Sequence, residues 1–516
     1  VRGPTLRLQN RVVDKYLSII RTEDNPAATR GCSLALGCLP PKLLAPNSQV
    51  LQSVLDCLCY ASKTLTLVGG EGDAETRRNA IISLVNVCKT VGIDSKNTMP
   101  IAEADAFPIH RLTKKQTKMV FHSLLSAMDD YNTDRRGDVG SWSRIAAMDG
   151  FQAFANLSIK ASTGFPHSPG QVTSSDPSAL AGPNEEVIVP SFEKRLDFLR
   201  ADVLSKKVDQ SLDDTIFFDE QMCCSMLSAL LKQLGEKLDT VRCKAGECLE
   251  TLLTNDSPRL PFVPYRHMLV RALNVSNERD KNWSDPALTF PLLMRAINID
   301  EFTEPILSGV VISVGGLTES VSKNSSASLF EWIRGLRTAK ATPKIFRMGE
   351  VFLGLFHRHK KNGRVLLPLL STLDKLLSHG CLDELLCAKN GMFIIDLMSC
   401  LTSEAKGCCD VKRLLAIVGV SLNLLQPHHE TVSIMRDQIL PFIMTMLLNP
   451  YPRVRRFTAE QLYVKLVEDG DILVPDKHEC LEEANQLLLR VVWHDELDPH
   501  GQLSDSRNRI ADLLGI

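Results

Sequence analysis

An all-α fold of stacked helical pairs, a helical-repeat solenoid, is what this sequence predicts. Three observations lead there. Apolar residues recur with helical period through most of the chain, and no stretch alternates convincingly as a strand would. Aromatics make up only 6% while leucine is abundant, which favours helix-on-helix packing over sheets. The 516 residues exceed the roughly 250–300 that one compact core holds, so several domains or an elongated repeat are required.

The elements follow in order. Val12, Val13, Tyr16, Ile19 and Ile20 mark a first helix over 9–20, broken at Asp24-Asn25-Pro26. A second helix over 28–38 stops at Pro40-Pro41, where the missing N–H and fixed φ end it. A similar pair follows, 49–67 and 74–91, separated by Gly69-Gly70-Glu71-Gly72-Asp73. Helices over 116–128 and 139–157 flank a charged turn, Asp134-Arg135-Arg136-Gly137-Asp138. Residues 158–190 are rich in Gly, Pro, Ser and Thr, with too little apolar content to offset their ordering entropy, and read as a disordered insertion. Helical pattern returns over 192–208 and 219–234, then over a helix whose face holds Val241, Ala245, Cys248, Leu249 and Leu252, with Asp239 placed to cap it. Eleven more helices are read: 287–298, 302–314, 318–337, 345–358, 364–379, 382–401, 410–425, 430–448, 452–469, 478–494 and 504–514. The expected organisation is therefore helical repeats over 1–157, the insertion 158–190, and helical repeats over 191–516.

A register ties four of these segments together. Arg77, Ala80 and Leu84 share the spacing i, i+3, i+7 with Arg144, Ala147 and Phe151, and with Arg242, Ala245 and Leu249; Arg455, Thr458 and Leu462 come close. In a stacked helical pair the i+3 residue must be small for the helices to approach, and the i+7 residue plugs the layer. The arginine can then reach an acid or a helix terminus in a neighbouring layer. No single pair buries its apolar face alone, so the pairs must stack. The intervals are unequal, as in degenerate HEAT/armadillo-like repeats with insertions.

Composition excludes several functions. A net charge of -2 argues against a nucleic-acid binder. No window reaches about 18 uninterrupted apolar residues, so no transmembrane helix is expected. Fifteen cysteines lie scattered, many at apolar helical positions, as reduced thiols acting as small hydrophobes. The chain begins at Val1 without an initiator Met and is expected to be a piece of a longer protein.

Candidate chemistry is sparse. Gly137-Asp138-Val139-Gly140 and Leu67-Val68-Gly69-Gly70-Glu71-Gly72 suggest phosphate loops but lack the Lys-Ser/Thr and the preceding strand, so they read as helix breaks or caps. Cys57 and Cys59, and His357 and His359, sit two apart on helices and point to different faces; no C-x-x-C pair exists, and no metal or cofactor is expected. No Gly-x-Ser-x-Gly nucleophile appears, so no catalytic residue is assigned. The basic runs 110–118, 357–364 and 453–456 read as solvated helix ends. Arg135-Arg136 is the best candidate for partner contact, because it sits in a turn flanked by Asp134 and Asp138. Asp138 is also placed to cap the following helix. Trp142 reads as core, whereas an exposed Trp there would mark a binding hot spot. Arg135, Arg136, Asp138 and Trp142 form the candidate partner-binding set.

These residues also carry a family resemblance. Asp134-Arg135-Arg136-Gly137-Asp138-Val139-Gly140-Ser141-Trp142 with Arg144 and Ala146-Ala147-Met148 resembles the C-terminal part of the tubulin-folding cofactor D (tubulin-specific chaperone D) family. So do Ala28-Thr29-Arg30-Gly31-Cys32-Ser33-Leu34-Ala35-Leu36-Gly37, Asn282-Trp283-Ser284 with Pro286, Phe290 and Pro291, and Gly315-Gly316-Leu317-Thr318-Glu319-Ser320. Trp493, Asp495-Glu496-Leu497, Arg507-Asn508-Arg509 and Leu513-Leu514-Gly515 continue it to the last residues, in the family's order. The resemblance implies HEAT/armadillo-type solenoids of the cytoplasm and microtubule cytoskeleton, including the centrosome, with no cofactor and no covalent chemistry of their own. It implies capture of β-tubulin and, with sister cofactors of the C and E types and an Arf-like small GTPase, assembly or disassembly of the αβ heterodimer and stimulation of tubulin GTP hydrolysis. It transfers no individual site residue, and the segment 158–190 departs from it. The other reading is a HEAT adaptor of a different kind, a transport receptor or a phosphatase scaffold; a third is a GTPase activator that inserts Arg135 or Arg136.

Overall fold

A computed structural model describes residues 6–22, 25–63, 66–67, 70–71, 73–94, 109–162, 216–275, 282–387, 391–426, 431–474, 478–495 and 501–516. These residues form twenty-two helices and two antiparallel ladders of two residues per strand. The all-α helical-repeat architecture is thus present. The expected helices over 192–208 and most of the insertion lie outside the described residues.

Two rows of helices stack side by side in the first part. One runs through Leu6–Thr22, Ser48–Ala61, Lys114–Ala127 and Glu220–Leu234, and the other through Pro26–Leu36, Ala74–Val91, Gly140–Ala161 and Asp239–Thr254. The first row continues through Asp300–Val314, Gly363–Ser378, Val411–Asn423, Pro452–Leu473 and His478–Arg490. Thr342–Arg358, Met392–Ala405 and Val432–Met446 pack on one another beside it. One apolar core runs from Val13 to Leu514, as expected when each pair buries its face on the next.

The arginine register holds in three dimensions. Arg77, Arg144, Arg242 and Arg455 are all buried, as are Ala80, Ala147, Ala245 and Thr458 and then Leu84, Phe151, Leu249 and Leu462. Each guanidinium bridges layers. Arg77 donates to Asp130 (2.8 Å) and Arg144 to Glu236 (2.7 Å). Arg242 reaches the Ser284 carbonyl (2.7 Å), and Arg455 reaches the Trp493 carbonyl (2.9 Å). Carbonyls that lack a helical partner at chain turns are thereby satisfied.

Four expectations need correction. The helix expected over 49–67 ends at Ala61, and Thr66–Leu67 pairs with Gly70–Glu71 in the first ladder instead. Asp239 does not cap its helix: Leu238 is the N-cap, and Asp239, the first helical residue, pairs with Arg242. The single helix over 382–401 is two, Asp383–Leu386 and Met392–Ala405, because Gly391 takes a left-handed conformation (φ 55°) before the second begins. The helix from Gly140 runs to Ala161, past the expected start of the insertion at 158; Ser158, Ile159 and Ala161 are buried and hold the last turn in the layer. The remainder, 163–190, lies outside the described residues.

Close approach of helices depends on glycine at one crossing. A Cβ on Gly309 would lie 2.0 Å from the Lys232 carbonyl oxygen, and one on Gly235 would lie 2.8 Å from Gly309 backbone. Gly309→Ala is therefore expected to cost about 2–3 kcal/mol by forcing two backbones apart, read as a lowered midpoint in urea unfolding. An unchanged midpoint would show that the crossing relaxes freely.

Candidate functional site

The charged turn folds as a hairpin that enters a helix. Thr133 pairs with Asp138 and Asp134 with Gly137, so Arg135 and Arg136 form the two-residue tip. Gly137 accommodates the return with φ 106°, a backbone state that side chains resist. Gly140 opens the helix where a Cβ would lie 2.1 Å from the Asp130 carbonyl oxygen. Both glycines are thus explained by backbone geometry rather than by a phosphate.

Arg135 and Arg136 are exposed but differ. The Arg136 guanidinium donates to the Asp134 carboxylate (2.7 and 3.0 Å) and to Glu75 (3.4 Å), and lies 4.9 Å over the Trp142 ring. That pairing holds the Asp134 carboxyl below its ordinary range and the Arg136 guanidinium above its own. Arg135 has no ion-pair partner among the described residues. Trp142 is half-buried rather than core. With Ile82, Ile145, Ala146, Glu75 and Arg78 it lines a surface concavity of about 390 Å³. The hairpin therefore presents an arginine-covered indole beside a partly apolar hollow.

Asp138 does not belong to that surface. Its carboxylate accepts from Arg144 (2.7 Å) and Arg364 (2.8 Å), and its side chain is 7% exposed. Its other oxygen accepts the Ser141 N–H (3.1 Å), which ties it to the first turn of the helix Gly140–Ala161. The N-cap of that helix is Val139, so Asp138 is not the cap the sequence suggests; it reaches the first turn from the position before the cap, with its carboxylate turned into the interior.

Asp138 is one corner of a buried four-charge network. Glu236 accepts from Arg144 (2.7 Å), from Arg364 (2.8 Å) and from the Lys237 N–H (2.7 Å). Two carboxylates face two guanidiniums, so the cluster is neutral. The Tyr131 ring packs beneath both, 4.7 Å from Arg144 Cζ and 5.5 Å from Arg364 Cζ. Burial alone would push the Glu236 carboxyl up; Arg144 and Arg364 overcome this and hold it at about 2. Burial disfavours the charged Arg144 as well, but Glu236 and Asp138 raise its pKa. The network joins the hairpin to the turn after Glu220–Leu234 and to the start of Gly363–Ser378.

Sequence reasoning missed Arg364. The run 357–364 does not behave as solvated helix ends throughout: Arg364 turns into the network, and His359 packs edge-on to Tyr131 at 5.9 Å. Burial and the Lys232 ammonium lower His359 to about 4, so its imidazole is neutral near pH 7. Arg455 likewise leaves the run 453–456 to enter the core. Arg364 lies 226 residues from Asp138, and no local spacing signals the pairing.

The fifteen cysteines are free thiols; burial raises Cys88, Cys223 and Cys248 to about 12, which leaves them protonated. Among the described residues no group of three or more His, Cys, Asp or Glu side chains is placed to hold a metal. No helix among them is long and apolar enough to cross a membrane.

Several of the other residues that carry the resemblance have structural roles. Trp283 lies against Gly246, where a Cβ would clash at 2.3 Å, and the next residue, Ser284, receives Arg242. A Cβ on Gly315 would lie 1.9 Å from the Pro368 carbonyl oxygen. The Trp493 indole donates to the Leu488 carbonyl (3.0 Å), and its own carbonyl receives Arg455.

Comparison with known proteins agrees with this pattern. Residues 224–413 match the family described as "Tubulin folding cofactor D C terminal". A "Tubulin-specific chaperone D" of Dictyostelium discoideum is 22% identical over 94% of this chain and 31% of its own length. A "Tubulin-folding cofactor D" of Schizosaccharomyces pombe is 21% identical over 72% of this chain and 27% of its own. The chain thus spans about a third or less of the curated relatives it matches. An engineered protein of known structure covers 98% of the chain at 10% identity and a TM-score of 0.27, too weak a likeness to support any argument. Residues 224–413 are accordingly similar to the C-terminal region of the tubulin-folding cofactor D family, and most of the chain is similar, at low identity, to proteins that carry that name.

Proposed function

We propose that this chain works in tubulin folding as a binding scaffold rather than as an enzyme. The observation that carries the reading is the match of 224–413 to the cofactor D C-terminal family, continued by relatives named for tubulin over most of the chain. The client in this reading is β-tubulin. Sister cofactors of the C and E types and an Arf-like small GTPase take part in assembling or disassembling the αβ heterodimer, and the assembled complex contributes to stimulation of tubulin GTP hydrolysis. The place of action is the cytoplasm and the microtubule cytoskeleton, including the centrosome. A stacked-helix surface suits this task because it offers long contact with a large folded client without a pocket for chemistry. Differential affinity for two client states would drive release when the nucleotide state changes.

Arg135, Arg136 and Trp142 are the contact residues of this reading. They are supported by exposure of the two arginines at the tip of the hairpin and by the hollow beside the indole. Arg135→Glu with Arg136→Glu is expected to weaken capture of tubulin or the GTPase at least about tenfold, as steered, desolvated charges do. Helicity and melting should stay nearly unchanged, because neither side chain is buried. The measurement is a pull-down from cytosol with and without GTP, quantified by mass spectrometry. Undiminished capture removes the hairpin from the contact surface, while recovery of nuclear cargo or phosphatase subunits in place of tubulin overturns the whole reading. Single-turnover GTP hydrolysis with Arg135→Ala tests the activator alternative, for which Arg135 is the better placed of the two, since Arg136 is engaged.

A further inference from the structure

Several exposed apolar side chains lie outside the hairpin, on and beside the helices Pro452–Leu473 and His478–Arg490. Val467 is 59% exposed and Leu489 64%, with Val464, Ile472 and Val492 also exposed nearby. Isolated exposed apolar residues are ordinary, but a contiguous group that lines a depression marks a contact surface. Val467 and Leu489 line a groove of about 430 Å³ between the two helices, together with the polar His478, Asn485 and Gln486. Tyr463, Leu466 and Val467 recur at helical spacing on one wall, and Leu481 and Leu489 lie on the other. The rim carries Asp471 and Glu482, and no lysine or arginine lines the groove among the described residues. Asp471 meets only the imidazole of His478 (3.0 Å), and Glu482 accepts from Gln486 (3.5 Å). Two nearby cations are directed elsewhere: Arg509 pairs with Glu483, and Lys465 with Asp469.

We propose that this groove is a docking site for an amphipathic helix of a partner protein that bears cationic residues beside its apolar face. Apolar side chains at i, i+3, i+4 and i+7 of such a helix would enter between Val467 and Leu489, as in other helix-in-groove complexes. Lysine or arginine at its edges would meet Asp471 and Glu482. An acidic helix would bring like charges to the same rim, so charge selects the occupant. The site is independent of the tubulin reading and uses none of the hairpin residues.

The test uses the 516-residue chain and a fluorescent peptide of about four helical turns, with leucine on one face and lysine on the other. Anisotropy is expected to report saturable binding. Val467→Asp and Leu489→Asp, each at an exposed position with melting unchanged, should weaken it at least tenfold (about 1.4 kcal/mol). Asp471→Lys with Glu482→Lys should reverse the preference toward a leucine/glutamate peptide. Equal binding of the lysine and glutamate peptides to the unaltered chain would overturn the charge assignment. Binding that survives both apolar substitutions, or no saturable binding at all, would overturn the groove. Self-association that Val467→Asp abolishes, seen by sedimentation, would assign the face to a second copy and overturn the proposal.

Discussion

Glu236→Gln is expected to destabilise the protein by about 3–5 kcal/mol, the cost of leaving a buried charge uncompensated. The substitution is nearly isosteric, so packing changes little. What changes is balance: Arg144 and Arg364 would share the single carboxylate of Asp138, with Arg144 0% and Arg364 5% exposed. Adding Arg364→Met should restore neutrality, leaving the Arg144–Asp138 pair (2.7 Å) intact. The double variant is therefore expected to be less destabilised than the sum of the singles by about 1–3 kcal/mol. Additive losses would show that the four charges do not act as a unit. The pH dependence gives a second measurement. Glu236 is depressed from 4.5 to about 2 in the fold, so its contribution is fully present above pH 4.5 and is lost as pH falls through 2. That span corresponds to on the order of 3 kcal/mol. Denaturant melts between pH 5 and 2 should show a shallower acid loss for Glu236→Gln than for the unaltered chain.

Leu249→Asp should be at least as damaging, costing on the order of 4–5 kcal/mol. Leu249 is 1% exposed and plugs the layer formed by Asp239–Thr254. A carboxylate there loses the leucine's transfer energy and finds no cation in the register, whose only charged member, Arg242, is engaged by the Ser284, Glu236 and Lys237 carbonyls and by Asp239. Because repeats support one another through nearest-neighbour contacts, hydrogen exchange should rise first in Gly140–Ala161 and Glu220–Leu234, which flank that helix. A variant that melts like the unaltered chain would show that the layer does not depend on this plug.

The fold was legible because helix, register and burial are local and periodic. A buried arginine followed by a small residue and a plug is a pattern on one helix face, and the structure places all four instances inside. Boundaries failed where local chemistry misled: Asp239 has the type of a cap but spends its carboxylate on Arg242, and Ile159 and Ala161 keep a helix going where composition was already turning polar. The site was legible in part. The hairpin tip was identified from an Arg-Arg pair between two acids, and the exposure of both arginines is consistent with that. The sequence reading put Trp142 in the core and Asp138 in the contact set; the structure leaves Trp142 half-buried and turns the Asp138 carboxylate inward.

Taken alone, the sequence determined the helical class, the stacking register and the resemblance to cofactor D, since each rests on residues near one another in the chain. Tertiary structure alone decided which charges neutralise which. Arg364 and Asp138 meet only after three layers have stacked, and the exposed faces of Val467 and Leu489 meet only once their two helices pack. Coulomb pairing and groove formation depend on distance in space, and in a repeat protein with unequal insertions that distance is written in no local spacing.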